Sequence, residues 1–472
     1  MRVGRFPRRK GCSVIDLEKH AEGILATALR NGGQFAEIFL EETARTVIVF
    51  EDNKVEQIVS GVDAGAGIRH LSGDQTLYGH TNELTEPHLT ALANELAAGA
   101  CGGKPDCNFA FTPERLGKVP KVPPSAVPTP RKLELVRNAN AAARAHDPRI
   151  VQVTVSYGDS LRRALIVNSE GRFVEESRPQ VLFSVRVVAR DGAVVQTAYE
   201  TAGGTLGFEL FDEVDPEALA LQAARRACLM LKAEPAPTGR MPVVLSSEAG
   251  GTMIHEAVGH GLEADHIEKG ISKYCGRLNE QIAVPEITVV DDGTLPGKRG
   301  SACMDDEGTP TRRTVLIDGG VLVQFLNDRR TAWKMGMAPT GNGRRESYQH
   351  KPVPRMTNTL ILPGTSDPAS ILAETGTGLF VKKMGGGQVT PLNGDYVFEV
   401  SEGYLIRNGE AAIPVRGATL IGNGPDTLMQ IEAVGSDLGF AIGTCGKDGQ
   451  AAPVSDAQPT LRIRELTIGG TR

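Results

Sequence analysis

The sequence predicts an α+β protein: N-terminal α/β layers with mostly antiparallel strands, then a β-rich, barrel- or sandwich-like C-terminal domain carrying a histidine-bearing helix. Three observations predict it. Apolar residues recur at helical spacing and then switch to period two, and this helix-then-strands order returns after residue 131. Pro-rich passages at 105–130 and 234–237 break the chain. Beyond residue 286, short β-branched runs alternate with Gly and Asp turns. These breaks divide the chain into an α+β subdomain (1–103), a connector (104–130), a second α+β subdomain (131–233) and a β-rich domain (238–472).

The first ten residues are basic, with Arg2, Arg5, Arg8, Arg9 and Lys10, and no apolar stretch follows. They read as a solvated tail, not a targeting signal. Leu17, Ala21, Ile24, Leu25 and Leu29 mark a helix over 16–31. The runs 46–50, 55–59 and 65–69 read as antiparallel strands around turns at Asp52-Asn53 and Ser72-Gly73-Asp74. A helix over 87–98 closes the unit, and six prolines between 105 and 128 make a semi-rigid connector. A helix over 131–145 then opens the second unit. Strands follow at 150–158, 161–168, 172–177, 181–190 and 194–200, and a helix over 216–231 ends it. The two units are either a duplicated half or two similar layers. In the last domain the strands include 287–290, 314–317, 360–362, 396–400 and 403–406. Gly385-Gly386-Gly387 lacks the Gly-Lys-Ser/Thr ending of a phosphate loop and reads as a flexible turn.

Composition narrows the function. The 472 residues suffice for two or three domains. A net charge of −6 provides no basic footprint for nucleic acid. No stretch is long and apolar enough to span a bilayer. Seven scattered cysteines form no disulfide framework and fit a reducing cytoplasm. The Cys101/Cys107 spacing is not a metal spacing. His70, His80, His88 and His146 are isolated and read as ordinary surface or core histidines.

The chemistry concentrates at Ile254-His255-Glu256-Ala257-Val258-Gly259-His260-Gly261-Leu262-Glu263-Ala264-Asp265-His266, which holds three of the nine histidines. It follows the apolar run Val243-Val244-Leu245, a buried strand, and a helix start at Ser247-Glu248. Two histidines four residues apart on a helix can grip one zinc, with the adjacent Glu as general base. Here the spacing is five, which separates the rings by roughly 140° on a regular helix. One looped-out residue, a π-bulge, returns them to roughly 40°, and Gly259 lowers its cost. A distorted helix is therefore expected at Gly259. Catalytic zinc needs a third protein ligand. Glu263, His266 and Cys445 are the candidates, the last flanked by glycines, with Lys447 nearby to favour its thiolate.

His-Glu-x-x-x-His at 255–260 and Gly443-Thr444-Cys445-Gly446-Lys447 resemble the TldD/PmbA family of metalloproteases, also called modulators of DNA gyrase. So do Arg355-Met356-Thr357-Asn358-Thr359, Gly385-Gly386-Gly387-Gln388-Val389, the run 414–425 and Gln458-Pro459-Thr460-Leu461-Arg462. The likeness is strong over about 240–470 and looser before it. It implies zinc held by His255, His260 and Cys445, with Glu256 as base, and the metal-bearing TldD branch, since the PmbA branch lacks the histidine motif. It also suggests that the glycine run forms a backbone surface near the site.

The resulting expectation is a zinc-dependent metallopeptidase acting on peptides or unfolded protein, in a homodimer or a heterodimer with a PmbA-like subunit. It implies no direct nucleic acid and no membrane. The alternative is a non-catalytic subunit or regulator with a structural metal site; an intact Glu256 argues against it, because a structural site needs no general base.

Overall fold

The computed structural model describes residues 16–100, 107, 109–117 and 119–470. The basic tail and Cys101 lie outside the described residues.

The N-terminal part is built on two antiparallel meanders. Phe35–Glu51, Lys54–Ser72 and Gln75–Thr81 form the first; Ile150–Asn168, Phe173–Asp191 and Val194–Gly204 form the second. Phe35–Glu51 pairs with Ile150–Asn168 along its length, so the two expected units share one seven-stranded sheet. Helices Leu17–Ala28 and Glu86–Ala98 flank the first meander in sequence, and Thr129–His146 and Pro216–Leu231 flank the second.

The strands are longer than the sequence reading. Breaks expected at Asp159-Ser160 and at Arg178-Pro179-Gln180 do not occur, and each lies inside a 19-residue strand. Turn-forming residues yield here to pairing, because Ser160 lies between Arg45 on one neighbour and Gln180 on the other. The turn at Asp52-Asn53 does form, with both residues at positive φ.

Strand alternation separates the two faces of this sheet. Ile38, Leu40, Val155 and Tyr157 face the helices. Phe39, Ala164, Ile166 and Val174 face the C-terminal domain and pack against Met304 and Tyr348. On that second face charged groups interleave with the apolar ones. Arg69 pairs with Glu37 at 3.0 Å and Glu307 at 2.6 Å, and Arg178 with Asp306 at 2.8 Å. The Arg69–Glu307 and Arg178–Asp306 pairs span the two parts of the chain and compensate these buried charges.

The C-terminal domain is β-rich, with a barrel at its centre. Thr377–Thr390, Gly239–Leu245, Leu461–Gly469, Thr419–Asn423 and Asp395–Arg407 pair in sequence, and the last pairs back to the first, closing a five-stranded ring. Closure removes the free sheet edge along Leu379–Val381. Val243, Leu245, Leu379, Val381, Phe398 and Ile463 fill it and share one core with Met253, Ile254, Val258 and Leu262 of the histidine segment. Strands expected separately at 396–400 and 403–406 are one strand, Asp395–Arg407. A second sheet of six strands ends with Asn358–Ile361, Gln450–Gln458 and the edge strand Gly439–Lys447, which carries Cys445. Among the described residues no helix is long and apolar enough to cross a membrane.

Candidate metal centre

The histidine segment follows Gly239–Leu245 and is irregular where the five-residue spacing requires it. Ser246 caps a single turn over Ser247–Ala249 by accepting from Glu248 N at 3.2 Å, so the expected helix start is a separate turn. The helix then runs as α over Thr252–Ile254, π over His255–Gly259 and 3-10 over His260–Leu262. The π-turn adds one residue between the histidines and brings their ring centroids to 5.1 Å. Gly259 has helical φ, so the segment asks it for space instead of an unusual conformation. A Cβ there would lie 2.0 Å from Met356 Sδ, and Met356 is fully buried.

Cys445 reaches the same point from the edge strand. One ligand atom each from His255, His260 and Cys445 lie within 4.8 Å of one another. Cys445 Sγ stands 3.4 Å from His260 Nε2. Two tetrahedral zinc ligands at about 2.0–2.3 Å from the ion are themselves about 3.5 Å apart, so this pair has a suitable separation. His255 Nδ1 is buried without a hydrogen-bond partner. Burial alone would raise the Cys445 thiol, but hydrogen bonds and charge from His255 and His260 outweigh it and bring its pKa to about 5. The donor set is thus two imidazoles and a thiol biased to thiolate, which fits zinc.

Cys445 is buried, at 6 % exposure, even though glycines flank it in sequence. The histidines lower its pKa; Lys447 is engaged elsewhere. Lys447 Nζ lies 2.6 Å from Asp265 Oδ1, 3.1 Å from Glu263 Oε2 and 2.9 Å from Pro354 O. Glu263 Oε2 in turn lies 3.0 Å from His260 Nδ1. Glu263 is fully buried; its burial penalty is outweighed by Lys447 and His260, which hold it far below the usual carboxylate range. It therefore faces the ring nitrogen of His260 opposite Cys445, where it fixes the ring orientation. His266 turns Nδ1 to His260 O at 2.8 Å. Neither Glu263 nor His266 joins the three-donor group.

Glu256 is half-buried, with Oε2 3.9 Å from His260 Nε2. It opens onto a cleft of about 690 Å³ that also exposes His255, His260 and Cys445. The glycine run forms one wall, inside the strand Thr377–Thr390. Register shifts between Val381 and Gly387 bulge it away from its partner. Past Val381 its other side has no strand partner among the described residues. The run is thus a backbone surface and not a flexible turn. Asp456 also lines the cleft; burial raises its pKa to about 6, and Oδ1 accepts from Gly251 N at 3.0 Å. No spacing in the sequence pointed to Asp456, which sits in a strand 200 residues beyond the motif it braces.

Comparison with known proteins identifies the family. The family models described as PmbA/TldA metallopeptidase domain 1, central domain and C-terminal domain match residues 36–100, 122–231 and 238–470. The chain belongs to the PmbA/TldD family. The metalloprotease TldD homolog of Haemophilus influenzae is 37% identical over 93% of each chain. A metalloprotease of Methanothermobacter thermautotrophicus is 36% identical, covering 97% of this chain and 100% of its own. The zinc metalloprotease TldD homolog of Saccharolobus solfataricus is 29% identical over 93% of this chain and 97% of its own. Two solved structures share the fold. One, described as a candidate modulator of a DNA gyrase from Thermotoga maritima, has a TM-score of 0.79 at 24% identity, covering 96% of this chain and all of its own. TldE of Thermococcus kodakarensis has 0.74 at 19%, with the same coverage. The chain therefore joins relatives named as metalloproteases.

Proposed function

We propose that the chain is a zinc-dependent metallopeptidase of TldD type that hydrolyses peptides or unfolded protein segments, with zinc on His255, His260 and Cys445. The observation that carries this is the placement of the Glu256 carboxylate beside the three-donor cluster, inside an open cleft. A structural site would need neither.

Zinc bound there would lower the pKa of a bound water towards about 7 and polarise a carbonyl. Glu256 takes the proton from the attacking water and returns it to the leaving amine. Glu263, held by Lys447, keeps His260 in the orientation that presents Nε2 to the cluster. The unpaired side of 383–389 supports an extended chain through main-chain hydrogen bonds, a mode that reads backbone shape before side chains. A second subunit, either another copy or a PmbA-like chain, would enclose the cleft and admit only flexible segments.

Glu256→Gln should keep stoichiometric zinc and lose roughly 10²–10⁴-fold in casein or peptide cleavage. Near-normal turnover would refute the assignment. A compact protein carrying a long Gly/Ser-rich tail should lose the tail and keep its body; equal digestion of the body would replace the enclosed site with an open one.

A further inference from the structure

A second cleft, of about 390 Å³, lies between the N-terminal sheet and the C-terminal domain. It shares no lining residue with the cleft containing Glu256. Gly443, Thr444 and Cys445 line that first cleft, while Arg299, Arg344 and Pro453 line the second, so the strand pair carrying Cys445 stands between the two.

Three of the arginines around the second cleft have counter-charges. Arg162 meets Glu41 and Asp306, each at 3.2 Å, Arg178 meets Asp306 at 2.8 Å, and Arg345 pairs with Glu37. Arg299 and Arg344 are different. Arg299 donates to Gly443 O at 3.1 Å and Thr444 Oγ1 at 3.3 Å. Arg344 donates to Met356 O at 2.5 Å and Pro453 O at 2.8 Å, and is 8 % exposed. All four acceptors are neutral, and neither arginine forms an ion pair among the described residues. Burial pulls the Arg344 guanidinium down to about 10, against a partial rise from Asp306. A desolvated cation whose hydrogen bonds all go to neutral acceptors is unfavourable unless further charge reaches it. Nothing in the proposed peptidase chemistry uses this pair.

We propose that the second cleft is a binding site for a phosphate-type oxyanion, free or carried on a small molecule, held between Arg299 and Arg344. The planar donor forks of two guanidinium groups match the oxygens of phosphate. Because Arg299 holds Gly443 and Thr444, and Arg344 holds Pro453 opposite Thr444, the bound anion would touch the side chains that brace the Cys445 strand. The site stands whether or not the peptidase reading does.

The test is thermal melting of the full chain against inorganic phosphate at constant ionic strength, with chloride and acetate as controls, metal-loaded and after chelation. Phosphate should raise Tm by about 2 °C or more in both states. Chloride and acetate should not, and Arg299→Gln with Arg344→Gln should abolish the rise. If that variant does not fold, the unaltered chain answers the question. Phosphate should slow phenylglyoxal modification of Arg299 and Arg344 at least fivefold by peptide mass spectrometry, leaving exposed Arg137 unaffected. A nucleoside monophosphate more protective than inorganic phosphate would identify a carried group, and the reverse order the free ion. Absence of both shift and protection overturns the proposal. So does an equal effect of acetate, or a shift that vanishes on chelation, which would put the anion on the metal.

Discussion

Replacing Glu263 by Gln isolates the support of one histidine from the donor set itself. Glu263 Oε2 lies 3.0 Å from His260 Nδ1 and 3.1 Å from Lys447 Nζ, in a fully buried position. Gln preserves the volume and can still hydrogen-bond, but it removes the charge that favours the donor orientation of His260. Losing such an outer partner typically lowers metal affinity 10–100-fold, about 1.4–2.7 kcal/mol. Breaking a buried pair can cost about 3–5 kcal/mol when it strands a charge. Lys447 is not stranded here, because Asp265 Oδ1 at 2.6 Å and Pro354 O at 2.9 Å remain. The metal-free variant should therefore melt within a few degrees of the parent while binding zinc at least tenfold more weakly. The assay is zinc competition against a chromophoric chelator, beside melting curves of both proteins stripped of metal. Zinc affinity within twofold of the parent would refute the support role of Glu263; equal loss of metal-free stability would make it a folding residue instead.

Further expectations follow from other parts of the structure. X-ray absorption of the zinc-loaded chain should show a sulfur neighbour near about 2.3 Å that disappears in Cys445→Ser; a nitrogen/oxygen-only shell in the parent would remove Cys445 from the ligand set. Gly259→Ala forces a methyl onto Met356 and should cost about 1–3 kcal/mol with weaker zinc retention; parent-like stability would show that the helix does not need the close approach. Asp328, which caps the helix Arg329–Lys334, has its pKa raised to about 6, by burial first and then by Glu307. A raised carboxylate pKa means that its stabilising contribution is complete below the unfolded value, near about 3.9, and is lost as pH climbs through about 6. Asp328→Asn keeps a capping oxygen and should gain up to about 3 kcal/mol relative to the parent between pH 4 and pH 7; a pH-independent difference in denaturant unfolding would contradict this.

The sequence by itself determined the elements whose cause is local. The α+β order, the turn at Asp52-Asn53 and the β-rich second half follow from periodicity and turn chemistry, which neighbouring residues carry. The π-turn before His260 was legible for the same reason: a five-residue spacing cannot serve one point on a regular helix, and only an added residue corrects it. Cys445 was legible as a candidate because glycines flank a lone thiol, though its choice over Glu263 and His266 came from family resemblance.

Tertiary structure decided what depends on residues distant in sequence. It joined the two N-terminal units into one sheet, where Asp159-Ser160 stays extended between strands on both sides and Arg178-Pro179-Gln180 stays extended against the strand Ile150–Asn168. It turned Glu263 from possible ligand to support of His260, and Lys447 from neighbour of the thiol to counter-charge of Glu263 and Asp265, because side-chain direction across a buried interface is not encoded in spacing. It also left Arg299 and Arg344 without carboxylates while their neighbours found them. Pairing of buried charges is settled by which surfaces meet, and a one-dimensional pattern holds no record of that meeting.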